Sequence, residues 1–109
     1  MTDAEKLTTL KTMLKIDGED VDAQLNVYLS IAHDEILNWM YINKADVPED
    51  AEMPAKYDMT QINAVIAGFN LQGGENQFRH SENGITREWH YSDMLDYIRA
   101  HVYQLLVVT

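Results

Sequence analysis

Residues 17–22, with the sequence Asp-Gly-Glu-Asp-Val-Asp, carry closely spaced carboxylates of the kind that bind hard cations such as Ca²⁺. An EF-hand loop needs a glycine at its sixth position and a glutamate at its twelfth, whereas Asp22 and Tyr28 stand there in this chain. The same acids precede a predicted helix, whose dipole favours negative charge at its start. We therefore interpret them as helix-capping residues.

The histidines also fail to make a metal site. Zinc needs two of them at helical or strand spacing with a third ligand nearby. The best pair is His80 and His90, which would face each other across a predicted hairpin. No His-Glu-x-x-His pattern occurs and the chain has no cysteine. The sequence predicts no metal and no cofactor.

Acid–base chemistry finds little support. His33, Asp34 and Glu35 are adjacent, but they lie opposite the apolar stripe of a predicted helix and are expected to be solvated. Gly73 and Gly74 lack the Lys-Ser/Thr pair of a phosphate-binding loop. The sequence predicts that this protein is not an enzyme.

The first half of the chain has strong helical patterns. Thr2 and Glu5 have capping-box spacing ahead of a first helix, which we expect Gly18 to end. An apolar stripe over residues 21–40 predicts a long second helix. A polar loop over residues 43–58 interrupts the pattern.

The second half mixes two kinds of pattern. Thr60 is expected to cap a third helix. Asn83-Gly84 is a hairpin turn signal, and alternating residues follow it, which predicts a β-hairpin over residues 77–91. Ser92 and Asp93 are expected to open a last helix carrying Leu95, Ile98, Val102 and Leu105.

Together these elements predict one domain over residues 1–109, with 46% hydrophobic residues. The predicted fold class is mainly α, a compact bundle of about four helices with a short β-hairpin before the last helix. The predicted core is Leu10, Leu14, Leu25, Leu29, Ile36, Ile62, Val65, Ile66, Phe69, Leu95 and Ile98.

The charge balance excludes some partners. With 18 acidic and 8 basic residues the formal net charge is −10, so the chain repels nucleic acid at long range. No apolar run reaches the roughly 20 residues of a membrane helix, and the first residues lack the apolar core of a signal peptide. We expect no membrane partner.

The predicted hairpin raises a question of pairing. Two interpretations are open. In the first, the hairpin packs on the chain's own helices; in the second, its strand edge pairs with a neighbouring subunit. Trp and Arg are frequent interface anchors, which favours the second interpretation. The predicted subunit-contact residues are Arg79, Ile85, Arg87, Trp89 and Tyr91.

The order of these elements resembles a known family. Residues 7–25 begin Leu-Thr-Thr-Leu-Lys-Thr-Met-Leu-Lys-Ile-Asp, Ile31-Ala32 lead a run to Ile36, and residues 80–89 read His-Ser-Glu-Asn-Gly-Ile-Thr-Arg-Glu-Trp. All three resemble the head–tail connector, or head-completion adaptor, proteins of siphovirus-type phages and prophages. The loop over residues 43–58 and the ending Leu-Leu-Val-Val depart from the family pattern.

The resemblance implies a structural role in the virion. Such connectors form a ring, expected to be dodecameric, beneath the portal protein. They extend the channel for double-stranded DNA and dock the next neck or tail-completion protein. The chain would then be made in the host bacterial cytoplasm and reside at the neck. The residues expected to dock the portal or neck are Asp46, Glu49, Asp50 and Lys56.

A small acidic inhibitor or DNA mimic, binding a basic host protein, is the alternative. Such a protein needs acids at phosphate-like spacing along one face. Here the acids gather at helix starts and in one loop, which favours the connector.

Overall fold

A computed structural model of the chain describes residues 1–70 and 89–105. These residues contain four α-helices: α1 (Asp3–Leu14), α2 (Asp22–Met40), α3 (Asp58–Asn70) and α4 (Tyr91–His101). A short 3-10 helix, Ala55–Tyr57, leads into α3. Within the described part, no helix is both long enough and apolar enough to cross a membrane.

Helix α1 begins with the predicted capping box. The Thr2 hydroxyl accepts a hydrogen bond from the Glu5 backbone N–H at 3.1 Å, and the Glu5 carboxylate accepts one from the Thr2 N–H at 2.7 Å. Hydrogen bonding of the carboxylate to the Thr2 backbone N–H, helped by the Thr2 side chain, lowers the pKa of Glu5, since it favours the charged form. The predicted end at Gly18 is wrong, because Lys15 already adopts the left-handed conformation, with φ 60°.

Helix α2 presents its predicted apolar stripe to the core, and α3 packs against the other three helices. Helix α3 begins at Asp58, so Thr60 is not its cap. The physical reason is the preceding 3-10 helix, whose backbone passes directly into the helical conformation at Asp58.

The core is close to the predicted one. All of the predicted core residues are buried except Ile66 and Leu95, which are partly buried. Met94, which the prediction left out, is fully buried together with Ile98. Residues four apart lie on one side of a helix, so when Met94 and Ile98 face the core, Leu95 lies to one side.

The β-hairpin in the predicted fold class is wrong. The described residues contain no strand, and Tyr91, placed in the predicted second strand, is the first residue of α4. His90 is extended as the N-cap of α4 and donates its N–H to the Gly68 carbonyl at 3.0 Å. Trp89 contacts helices of its own chain, as described below. Residues 77–88 of this prediction lie outside the described residues.

The last described segment crosses the carboxyl end of α2. Helix α4 ends at His101, earlier than predicted, and Val102 is extended. The Leu105 N–H donates to the Met40 carbonyl at 2.7 Å, and the Tyr103 N–H donates to the Tyr57 hydroxyl at 3.0 Å. Backbone groups that a longer helix would pair internally are thus paired with α2 and the 3-10 helix.

Candidate assembly surfaces

One side of α2, together with α4, forms a surface of aromatic, apolar and charged side chains. We call this surface the Trp39 face; it consists of Glu35, Asn38, Trp39, Ile42, Leu95, Ile98 and Arg99, which line a shallow hollow. The three members on α2, Glu35, Asn38 and Trp39, are separated by three residues and one residue, and Ile42 lies two residues beyond the end of the helix. A helix with about 3.6 residues per turn brings such positions to the same side.

Trp39 and Arg99 are the large side chains of the Trp39 face. The Arg99 guanidinium lies 5.3 Å from the centroid of the Trp39 ring, a cation–π distance, and Trp39 Nε1 donates to the Val102 carbonyl at 3.1 Å. Ile42 is 53% exposed beside them. Among described residues, no carboxylate lies within 4.0 Å of the Arg99 guanidinium.

Tyr91 borders the Trp39 face. Its hydroxyl donates a hydrogen bond to the Glu35 carboxylate. This bond raises the pKa of Tyr91, helped by partial burial and by the negative charge of Glu35, while the positive charge of Arg99 opposes the change. The predicted contact residue Tyr91 therefore joins α4 to α2, and 43% of its surface stays exposed.

On the other side of α2 lies a cleft of about 410 Å³. We call it the Lys6 cleft; its lining consists of Asp3 and Lys6 from α1, Asn26, Leu29, Ser30 and His33 from α2, and Gln61 from α3. The positions on α2 that line this cleft and those on the Trp39 face point to opposite sides of the helix, at about 100° per residue.

Lys6 is the most buried charge in the cleft, with 6% of its surface exposed. Its ammonium lies 3.5 Å from the Asp58 carboxylate, which also accepts a bond of 2.9 Å from the Met1 α-amino group. Burial alone would raise the pKa of Asp58, but the Met1 hydrogen bond and the Lys6 charge outweigh it and hold that pKa below its ordinary value.

Gln61 forms part of the cleft lining with one polar atom unpaired. Its Nε2 donates to the Leu29 carbonyl at 2.7 Å, so the amide cannot be reversed without bringing two oxygens together. Its Oε1 is buried and has no hydrogen-bond partner in the described part of the chain. A buried acceptor without a partner costs about 1–3 kcal/mol, so this atom favours an incoming donor.

Three of the predicted docking residues, Asp46, Glu49 and Asp50, lie on the loop between α2 and the 3-10 helix, and the fourth, Lys56, lies in the 3-10 helix. Asp46, Glu49, Asp50 and Lys56 are exposed, whereas Val47, Ala51 and Met53 pack partly buried against the core. The Lys56 ammonium lies 5.2 Å from the Tyr57 ring centroid. Apolar anchors between exposed charges present those charges outward.

Trp89, a predicted contact residue, packs against helices of its own chain. Its ring stacks on Tyr28 with centroids 4.1 Å apart, and a side chain added at Gly68 would come within 2.6 Å of its Nε1. That Nε1 is buried without a hydrogen-bond partner among described residues. The predicted contact residues Arg79, Ile85 and Arg87 lie outside the described residues.

Sequence reasoning missed the two most unusual polar groups. Lys6 lies on the same side of α1 as the buried Leu10 and Leu14, so its spacing from these leucines already indicated that it is buried. Gln61 offered no such signal, because its unpaired oxygen depends on where the Leu29 carbonyl lies. Neither group makes a metal site: in residues 1–70 and 89–105 no cluster of three or more His, Asp or Glu could hold an ion.

Comparison with protein families decides what kind of protein carries these surfaces. The family model described as phage gp6-like head-tail connector protein matches residues 4–104. The chain belongs to this family. No curated protein and no solved structure matches the chain. The connector is thus a structural protein of the phage particle, and the resemblance seen in residues 7–25 and 80–89 is confirmed over nearly the whole length.

Proposed function

We propose that this connector assembles as a dodecameric ring beneath the portal protein after DNA packaging. The ring extends the DNA exit channel and offers a docking surface to the next neck or tail-completion protein. The observation that carries the proposal is the match of the connector family to residues 4–104. The protein binds protein chains in this role, and DNA only passes through the channel.

The charge of the chain supports this role. At a formal −10, the protein repels the phosphate backbone, and a conduit must let DNA pass without holding it. A ring also requires a heterologous contact, in which two different surfaces of each copy meet and the rotation closes.

We assign the docking of the portal or neck protein to Asp46, Glu49 and Asp50 of the loop between α2 and the 3-10 helix, together with Lys56 of the 3-10 helix that follows it. Their exposure on an apolar-anchored loop supports this assignment, because exposed charges steer a partner of opposite charge and set its orientation.

Electron microscopy of the purified protein, alone and with the portal of the same phage, tests the ring. We expect annular particles that stack on the portal and share its axis. Connector copies that bind the portal singly, without closing, would contradict the ring proposal.

A charge-reversed loop tests the docking surface. Replacing Asp46, Glu49 and Asp50 by lysine should weaken portal or neck binding while circular dichroism stays unchanged. The matched control reverses Asp17, Glu19 and Asp20, three exposed acids between α1 and α2. Equal loss of binding in both triple variants would show that binding depends on the net charge of the protein. It would contradict a specific role of the loop.

A further inference from the structure

We propose that the Trp39 face of one copy packs into the Lys6 cleft of the next copy, with Arg99 as the cation that enters the cleft. This inference rests on the proposed ring and names the two surfaces that close it. The occupant of the cleft is thus a second copy of this chain.

The positions of the two surfaces suit a head-to-tail contact. They lie on opposite sides of α2, flanking the core, so one copy can present each surface to a different neighbour. An isologous contact would use one surface twice and would leave the other without a partner. Repeating a two-surface contact around an axis generates a ring.

The Trp39 face provides what an interface centre usually contains. Trp39 is half-buried, Ile42 is exposed, and Arg99 stacks on the Trp39 ring. Trp and Arg are the residue types most often found at the energetic centre of interfaces. The Arg99 guanidinium has five N–H donors and, among described residues, no carboxylate within ion-pair distance.

The Lys6 cleft provides acceptors. Asp3, Asn26 and Ser30 are exposed along it, and the Gln61 Oε1 is buried with no donor in residues 1–70 and 89–105. The positive charge of Lys6 is offset by Asp58 at 3.5 Å, so it does not dominate the cleft. A guanidinium entering between these groups would find a carboxylate and neutral oxygens.

The adjoining groove strengthens the match of charge. It shares Lys6 and His33 with the cleft and adds Glu52 and Asp58 to its lining. Taken together, the two linings hold the carboxylates of Asp3, Glu52 and Asp58 and the cations of Lys6 and the Met1 amino group, of which Asp58 contacts both cations. The excess is negative, as the docking of Arg99 requires.

Cross-linking is the decisive experiment, because the chain has no cysteine of its own. Arg99→Cys and Ser30→Cys are combined in one chain and treated with a short bismaleimide, both free and with the portal. A ladder of covalent oligomers is expected. A mixture of the two single variants should stop at dimers, since each chain then carries one reactive side.

The matched control combines Arg99→Cys with Val27→Cys. Val27 is 53% exposed on α2 and lines neither surface, so this pair should give no ladder. Dimers of the Arg99→Cys variant alone would indicate an isologous contact and overturn the inference. If microscopy shows rings but the Arg99→Cys and Ser30→Cys chain gives no ladder of covalent oligomers, this inference is overturned as well. The ring proposal would still stand in that case.

Charge reversal provides an independent measurement. Arg99→Asp should weaken self-association by at least about tenfold in sedimentation, as expected for loss of an interfacial arginine. Lys15→Asp, at an exposed position outside both surfaces, should change it by less than about twofold. Asp3→Arg combined with Arg99→Asp should recover part of the loss. Equal effects at Arg99 and Lys15 would contradict the proposed contact.

Discussion

The two tryptophans both lie where α2 meets the last part of the described chain, but their indole N–H groups differ in hydrogen bonding. Both rings are partly buried, Trp39 within α2 and Trp89 just before α4. Trp39 donates to the Val102 carbonyl at 3.1 Å, whereas the Trp89 Nε1 is buried without a partner in the described chain. Trp89 instead stacks on Tyr28 and contacts Gly68.

The difference indicates two ways of holding an element against the bundle. The Trp39 end relies on hydrogen bonds, since the segment after α4 also donates from Leu105 to the Met40 carbonyl. The Trp89 ring itself relies on stacking and a close approach to α3, beside the backbone hydrogen bond from His90 to the Gly68 carbonyl. Removing the indole N–H should therefore matter at Trp39, whereas truncating the ring, or placing an atom beside it at Gly68, should matter at Trp89.

The largest expected effect is truncation of the stacked ring. Trp89→Ala should lower the free energy of unfolding by about 2–4 kcal/mol, because it uncovers Tyr28 and leaves space beside Gly68. Urea denaturation followed by circular dichroism measures this. A loss below about 1 kcal/mol would show that the ring contributes little to folding.

Gly68→Ala tests how closely Trp89 approaches α3, because the sign of its effect on the free energy of unfolding depends on that approach. In a helix interior this change normally stabilises by about 1 kcal/mol. Here the new Cβ would lie 2.6 Å from the Trp89 Nε1 and 3.1 Å from the His90 carbonyl oxygen, so we expect a loss of about 1–3 kcal/mol.

A double-mutant cycle then separates the two contacts of Gly68. In a Trp89→Ala background the cost of Gly68→Ala should fall without vanishing, since the His90 carbonyl remains close. An unchanged cost would mean that the ring is not the obstacle.

The pair Trp39→Phe and Trp89→Phe tests the contrast in hydrogen bonding directly. Trp39→Phe should cost about 1–3 kcal/mol, because it leaves the Val102 carbonyl without its donor. Trp89→Phe removes a donor that has no partner among the described residues, so its cost should be about 1 kcal/mol or less. Similar losses in the two variants would break the comparison.

Acid titration provides a reference that leaves both tryptophans intact. Because the folded pKa of Asp58 is depressed, its stabilising contribution is present above its unfolded pKa of about 4 and is lost as pH falls through the folded pKa. Urea midpoints of Asp58→Asn should therefore depend less on pH below about 4 than those of the wild type. Asp46→Asn, at an exposed loop position, is the matched control and should follow the wild type.

The smallest effect is expected at alkaline pH, next to Trp89. Tyr91 lies with its ring centroid 6.0 Å from that of Trp89, and its folded pKa is raised by the bond to Glu35. Its contribution is present below the unfolded pKa of about 10 and is lost as pH rises through the folded value. Tyr91→Phe should remove this alkaline dependence, and an unaltered profile would assign it to another tyrosine.

The sequence alone determined much of the framework. The capping box at Thr2 and the stripe of α2 follow from local spacing, which acts over one or a few helical turns. The sequence also indicated the connector family, because the motifs in residues 7–25 and 80–89 and their order along the chain are properties of the sequence itself. The charge of −10 needed only a count.

Only the tertiary structure decided which neighbours each side chain meets. Alternation at Trp89 and Tyr91 fits a strand, yet Tyr91 is the first residue of α4. The tertiary contacts decide this, because the Trp89 ring stacks on Tyr28 and the Tyr91 hydroxyl donates to Glu35, both on α2. Helical periodicity also left open whether Met94 or Leu95 faced inward. The unpaired Gln61 oxygen and the opposite placement of the Trp39 face and the Lys6 cleft depend on contacts between helices, which local spacing does not specify.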